Sequence, residues 1–293
     1  MKWLISGASG LLGHHFCNYL KTRKQKIIGL HNKHSINIKN VECIQTDFSD
    51  LKKVQNIISD SLPNVIIYAS GLTNVDACEE NEPLAKKLHA DVPTAMAIAA
   101  QDNGSEFVFI STDHLWDGST SLVTEKTPPQ PINVYARTKV LGEKQVLDVN
   151  PKSLVIRTNF FGRGRPWRKS LSDWIIEELT AENVITAFTD SYFTPINLAH
   201  LCKNIEALVK CRVGGIYNIA GRQRVSKYDF AHYLAKYMKL RTDLIRPGKI
   251  IDANLSAPRP SDMSLSTEKI EAKLGIRMPT LIDCFASLNE NKI

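Results

Sequence analysis

The chain has 293 residues, 43% of them hydrophobic and 23% charged, with a formal net charge of +7. These values describe an ordinary soluble globular protein, large enough for one α/β domain or for a domain with a cap. They exclude a membrane-spanning chain, since no run approaches the roughly 18 apolar residues a span needs. The cysteines (Cys17, Cys43, Cys78, Cys202, Cys211 and Cys284) are scattered without a C-x-x-C pair, so neither a disulfide framework nor a zinc site is expected. A reducing, cytoplasmic setting suits them. Basic residues are spread along the chain with no arm, helix-turn-helix or aromatic RNA motif, which argues against nucleic acid. The positive balance fits a doubly phosphorylated cofactor and an anionic small substrate instead.

Trp3, Leu4 and Ile5 form a short apolar run that predicts a buried strand. Gly7, Gly10 and Gly13 follow at three-residue spacing, and Leu11 to Leu20 can continue as a helix. Strand, glycine turn and helix together make a dinucleotide site. Gly7 lets the chain turn, Gly10 admits a pyrophosphate to the backbone, and Gly13 lets the helix lie close to the strand. The spacing is G-x-x-G-x-x-G, and the glycines and His14–His15 argue against reading this start as a secretory signal.

Further strands are expected at Lys26–Leu30, Val41–Gln45, Asn64–Ala69, Glu106–Ile110, Ser153–Ile156, Val184–Phe188 and Gly215–Ala220. Helices are expected at Asp50–Ser61, Pro83–Gln101 with a kink at Pro93, Asn133–Val149, Leu171–Leu179, Asn197–Val209 and Ser226–Met238. This alternation predicts an α/β Rossmann-type, doubly wound parallel sheet. The expected division is a dinucleotide-binding domain at 1–157, with 183–221 returning to it, and a smaller substrate-binding lobe from 158–182 and 222–293. No carboxylate follows the second strand, which runs into His31, Asn32, Lys33 and His34. An acidic residue there would bind the ribose 2′-hydroxyl of NAD. Its lack, with Lys33 near, favours NADPH and leaves NADH open.

Tyr135 and Lys139 lie four apart on a predicted helix and so share a face. A tyrosine can protonate a carbonyl oxygen, and a nearby ammonium draws its pKa down from about 10. Thr112 ends the strand EFVFIST, where its hydroxyl could polarise a substrate oxygen. Y-x-x-x-K alone is common. Its order after the glycine turn and the Ala69–Ser70–Gly71 strand end makes it specific.

With these motifs in place, the sequence resembles the extended short-chain dehydrogenase/reductases, and among them the dTDP-4-dehydrorhamnose reductase family. The matching stretches are GASGLLG, TDF at Thr46–Phe48, TNVDACEENEPLAKKLHA at Thr73–Ala90, STDHLWDG at Ser111–Gly118 and PINVYARTKVLGE at Pro131–Glu143. VIRTNFFG at Val155–Gly162, GIYNIAG at Gly215–Gly221 and RPSDMSLSTEKI at Arg259–Ile270 extend it over nearly the whole chain. The resemblance implies Tyr135 as proton donor, Lys139 as its activator and ribose ligand, and Thr112 as carbonyl partner. It places Gly7, Ser9, Gly10, Leu11 and Leu12 at the pyrophosphate, Asp47 and Phe48 at adenine, and Ala69, Ser70 and Gly71 at the ribose side of nicotinamide. Asp113, His114 and Phe160 would line the sugar pocket, where the family usually has Tyr and Trp in place of His114 and Phe160. The implied activity is NADPH-dependent reduction of the C4 ketone of a nucleoside-diphosphate 4-keto-6-deoxy sugar, and a homodimer is one expected assembly. A sugar-nucleotide epimerase or dehydratase, or a non-catalytic dinucleotide-binding regulatory subunit, are the alternatives. A dehydratase would carry an Asp–Glu pair after the threonine, where this chain has Asp113 and His114.

The basic stretch Gly162–Lys169 reads either as a diphosphate contact through Arg163, Arg165 or Arg168 or as a solvated loop. Glu79, Glu80 and Glu82 read as a plain charge cluster at a helix start. No metal site is expected, because the histidines lack ligand spacing, although some members of the family hold magnesium between subunits. Isothermal titration should find NADPH bound more tightly than NADH. The opposite preference would reduce His31 and Asn32 to simple ribose contacts.

Overall fold

The computed structural model describes residues 1–48 and 50–290, so the end of the expected lobe, 291–293, lies outside the described residues. In chain order its elements begin with β1 (Lys2–Ser6), α1 (Leu11–Thr22), β2 (Lys26–His31), β3 (Glu42–Gln45), α2 (Leu51–Ser61) and β4 (Val65–Tyr68). There follow α3 (Val75–Glu80), α4 (Glu82–Lys86), a π-helical turn (Lys87–Asp91), α5 (Val92–Asp102), β5 (Glu106–Ile110), α6 (Val134–Val149) and β6 (Leu154–Arg157). Then come β7 (Phe160–Phe161), α7 (Leu171–Thr180), β8 (Ile185–Phe188), β9 (Tyr192–Phe193), β10 (Ile196–Asn197), α8 (Leu198–Lys210) and β11 (Gly215–Asn218). The chain ends with β12 (Val225–Ser226), α9 (Lys227–Tyr237), β13 (Ile245–Gly248), α10 (Glu268–Leu274) and α11 (Leu281–Glu290).

Two compact units result. The first comprises Met1–Thr112, Asn133–Arg157 and Cys202–Tyr217. Its seven strands lie in the order β11-β6-β5-β4-β1-β2-β3, and β6 through β3 pair in parallel. This is the doubly wound order, in which the reversal at β1 and β4 opens a crevice at the strands' carboxyl ends. The inner strands β1, β4, β5 and β6 are buried over most of their length because helices cover both faces, whereas the edge strand β3 is not. Leu4, Ile28, Ile66, Phe107 and Val155 on the strands pack with Val54 and Ile58 of α2 and with Val92, Met96 and Ala100 of α5.

The helix expected at Pro83–Gln101 runs as α4, a π turn and α5 without a gap, and its irregularity, the π turn, lies directly before Pro93. Pro93 lacks the N–H that would bond the His89 carbonyl four residues back. That carbonyl faces α6: a Cβ on Gly142 would stand 1.9 Å from its oxygen, so the two helices touch backbone to backbone there.

The second unit comprises Asp113–Ile132, Thr158–Leu201 and Asn218–Ile293. The expected return of 183–221 to the large sheet therefore holds only for 202–217, and 113–132 joins the second unit. The physical reason is strand pairing, because β8 pairs with β13 and not with the large sheet. Short strands β7 with β10 and β9 with β12 complete it, and its core is a cluster of edge-to-face rings, Phe161, Phe193, Phe230 and Phe285.

Gly142→Ala should force α6 away from the π turn and lower unfolding stability by about 1–3 kcal/mol. Urea denaturation would measure it. An unchanged midpoint would show that the close approach carries no load.

Candidate active site

The glycine turn is built as its spacing implies. Gly7 has φ +69°, and a Cβ on it would lie 2.7 Å from the Ala69 carbonyl oxygen. A Cβ on Gly13 would lie 2.2 Å from the Gly7 oxygen. The turn after β1 thus lies directly against the end of β4, and the Ala69 N–H donates to Ser6 Oγ at 3.2 Å. No side chain caps α1 at Gly10, and its first turn holds no acidic residue. The cradle, closed to any side chain and headed by helix N–H groups, fits a dinucleotide pyrophosphate. Leu12 is buried while Ser9, Gly10 and Leu11 are half-buried at the head of α1.

Tyr135 and Lys139 both lie buried on α6, which Asn133 caps by accepting from the Ala136 N–H at 2.8 Å. Lys139 Nζ donates to the Ile110 carbonyl at 3.0 Å, two residues before Thr112 at the end of β5. It also stands 3.8 Å from the point where a Gly71 Cβ would be. The structure therefore brings Lys139, the end of β5 and the end of β4 together. Burial lowers the Lys139 pKa to about 8, with the Glu143 carboxylate working against that shift.

Sequence reasoning missed three parts of this unit. Glu143 and Arg157 form a buried, two-toothed ion pair, with Arg157 Nη2 to Oε2 at 2.7 Å and Nε to Oε1 at 3.0 Å. Ser111 Oγ donates to the same carboxylate at 2.6 Å. Glu79 does more than add charge: its Oε1 accepts from the Val134 N–H, the first amide of α6, at 2.7 Å. His89, passed over for want of metal-ligand spacing, meets Tyr135 edge-on at 5.4 Å between ring centroids.

Of the other expected contacts, Lys33 and Asp47 are exposed, and Phe48 is buried in the apolar core of the sheet. The Phe48 side chain is thus committed to the core. In the second unit, His114 Nδ1 donates to Asp113 Oδ1 at 2.8 Å, and Asn159 Nδ2 donates to Asp113 Oδ2 at 2.7 Å. Phe160 is half-buried at the start of β7.

A cavity of about 190 Å³ is lined by His114, Phe188, Ser191, Lys227, Arg259 and Met263, among others. Lys227, which the sequence did not flag, is half-buried with its Nζ 3.3 Å from the Phe193 ring centroid. Burial lowers its pKa to about 8, opposed by the Asp113 carboxylate. The 162–169 loop folds back on itself, Arg165 and Arg168 exchanging backbone hydrogen bonds at 3.0 and 2.8 Å. The cations at this cavity are thus Lys227 and Arg259, and none of the loop arginines lines it. Among the described residues no three His, Cys, Asp or Glu side chains group to hold a metal ion, and no helix is long and apolar enough to cross a membrane.

The doubly wound sheet, the glycine cradle and the Tyr135–Lys139 helix define the short-chain dehydrogenase/reductase class. The chain belongs to the RmlD substrate binding domain family, whose model matches residues 1–287. It is 28% identical to the probable low-salt glycan biosynthesis reductase Agl14 of Haloferax volcanii, over 98% of this chain and 97% of that one. It is also 28% identical to methionine adenosyltransferase 2 subunit beta of Xenopus laevis, over 94% of this chain and 83% of that one. A solved structure from Sulfolobus tokodaii, described as a hypothetical dTDP-4-dehydrorhamnose reductase, superposes with a TM-score of 0.85 at 29% identity, covering 96% and 97%.

Removing one partner of a buried ion pair strands the other charge. Glu143→Ala should therefore lower stability by about 3–5 kcal/mol, whereas the double change Glu143→Leu with Arg157→Met should recover most of it. Denaturant melts of the two proteins would show a pair of equal losses if the charges were not buried against each other.

Proposed function

We propose that the protein is an oxidoreductase that uses NADPH to reduce the C4 ketone of a nucleoside-diphosphate 4-keto-6-deoxy sugar. The observation that carries this reading is the buried Lys139 on α6, one turn from Tyr135, held by the β5 carbonyl beside the glycine cradle. The family and the reductase relatives support it. When bound, the nicotinamide supplies a hydride to C4. Tyr135 then gives its phenolic proton to the O4 oxygen, leaving a secondary alcohol. The Lys139 ammonium stabilises the phenolate left behind, and with its pKa lowered by burial it is poised to return a proton near neutral pH. Thr112 orients the carbonyl oxygen. In the second unit, Lys227 and Arg259 give the cavity a positive character that suits the substrate's diphosphate.

A second reading has one observation in its favour, the similarity to a methionine adenosyltransferase subunit. It makes the chain a dinucleotide-binding partner of another protein, without turnover. NADPH oxidation measured against a panel of 4-keto nucleotide sugars separates the two.

Tyr135→Phe removes only the phenolic proton. It should cut kcat by about 10² to 10⁴ and leave NADPH binding intact. Near-native turnover would overturn the assignment of the proton donor.

A further inference from the structure

His89 is fully buried, yet the reaction above gives it nothing to do. It sits at the middle of the π turn Lys87–Asp91, a type of helix irregularity that often marks functional sites. Its Nε2 lies 2.9 Å from the Leu72 carbonyl oxygen, and its Nδ1 lies 2.8 Å from Thr138 Oγ1 on α6. A carbonyl only accepts, so Nε2 carries the ring proton. Burial first, and the Lys139 ammonium second, hold the imidazole neutral, with a pKa of about 3. Nδ1 is then a lone-pair acceptor facing the Thr138 hydroxyl, whose oxygen also lies 2.8 Å from the Val134 carbonyl oxygen and 3.0 Å from the Tyr135 carbonyl oxygen on its own helix.

The bond to Leu72 is thus determined in direction, and Thr138 ties the other ring nitrogen to α6. The ring also packs on Gly71, whose Cβ, if present, would meet Cδ2 at 3.2 Å and Nε2 at 3.3 Å. One side chain therefore touches the loop after β4, the helix that bears Tyr135 and Lys139, and the Tyr135 ring itself. A buried histidine used only as filler would not need bonds to two separate elements.

We propose that His89 is a positioning residue for the reaction, a neutral bridge that fixes the Gly71–Leu72 loop to α6 and so sets where Tyr135 stands. It rests on the reductase reading for its catalytic consequence. His89 touches neither the substrate nor the reacting atoms in this assignment. Its effect belongs to kcat, since small misplacement of a reacting group alone can cost about 10²-fold.

The test compares His89→Phe, which keeps the ring and loses both bonds, with His89→Gln, whose amide N–H can still reach the Leu72 carbonyl. NADPH oxidation is followed with a 4-keto-6-deoxy nucleotide sugar, alongside thermal melts of each variant. His89→Phe should lose about 10- to 100-fold in kcat with the sugar KM unchanged, and His89→Gln should recover much of that loss. In the wild-type protein, ¹⁵N NMR of the imidazole should show Nε2 protonated and Nδ1 bare from pH 8 to pH 5. A wild-type kcat in His89→Phe overturns the proposal, as does a loss in both variants that follows only their melting temperatures. An imidazole titrating near its ordinary value overturns it too, and leaves the reductase reading intact. Absence of wild-type turnover on every sugar tried removes the reductase reading and the catalytic role of His89 with it.

Discussion

Glu143 and Arg157 are both almost entirely withdrawn from water, one on α6 and the other at the end of β6. Neither charge could be buried alone, since the desolvation of an isolated ion far exceeds anything packing returns. Their two parallel hydrogen bonds, with a third from Ser111 after β5, fix the middle of α6 to the carboxyl ends of two strands. Lys139 and Tyr135 stand one and two turns earlier on the same helix. The place of Tyr135 and Lys139 along α6 is therefore referenced to this pair. A hydrophobic contact would hold the helix as firmly, but it would let α6 slide or rotate by fractions of a turn. A bidentate ion pair does not.

The same helix is constrained at two other levels. Glu79 accepts from its first amide while Asn133 caps it, and Gly142 lets it approach the π turn to backbone contact. That approach is what carries the His89 ring into contact with α6. Burial lowers the Lys139 pKa, and the Glu143 carboxylate, held one turn further along α6, works against that shift.

The parts of this arrangement that the sequence announced are those that follow from local rules. Strands such as VIIY and the FVFI of β5 are near-continuous apolar runs because both sheet faces are covered, and the glycine turn fits its spacing. Tyr135 and Lys139 could be found because helical spacing puts them on one face. The rest depends on distant parts of the chain. Glu143 and Arg157 are fourteen residues apart on different elements, and each alone looks like a solvated charge. His89 looked idle because its partners, Leu72 and Thr138, come from a loop and a helix well away in sequence. Pro93 marks the place of the irregularity, but its form, a π turn, has no signature in the sequence. The domain boundary was misjudged at 113–132 and 183–201 because two-residue strands such as β9 and β12 carry no periodic signal.

The two units hold different kinds of information. In the first, Lys139, Glu143 and Arg157 are held by buried hydrogen bonds between α6 and the ends of β5 and β6. The second unit places His114, Lys227 and Arg259 around a cavity. His114 is bonded to Asp113, which Asn159 also holds, and Lys227 draws part of its electrostatic environment from the same Asp113. A tyrosine in place of His114 would replace an imidazole coupled to a carboxylate by a longer, weakly acidic hydroxyl. It would also remove one of the side-chain hydrogen bonds that hold Asp113. Sugar preference in the proposed reaction would follow from the Asp113–His114–Lys227 group as a whole, while the chemistry carried by α6 stays as it is.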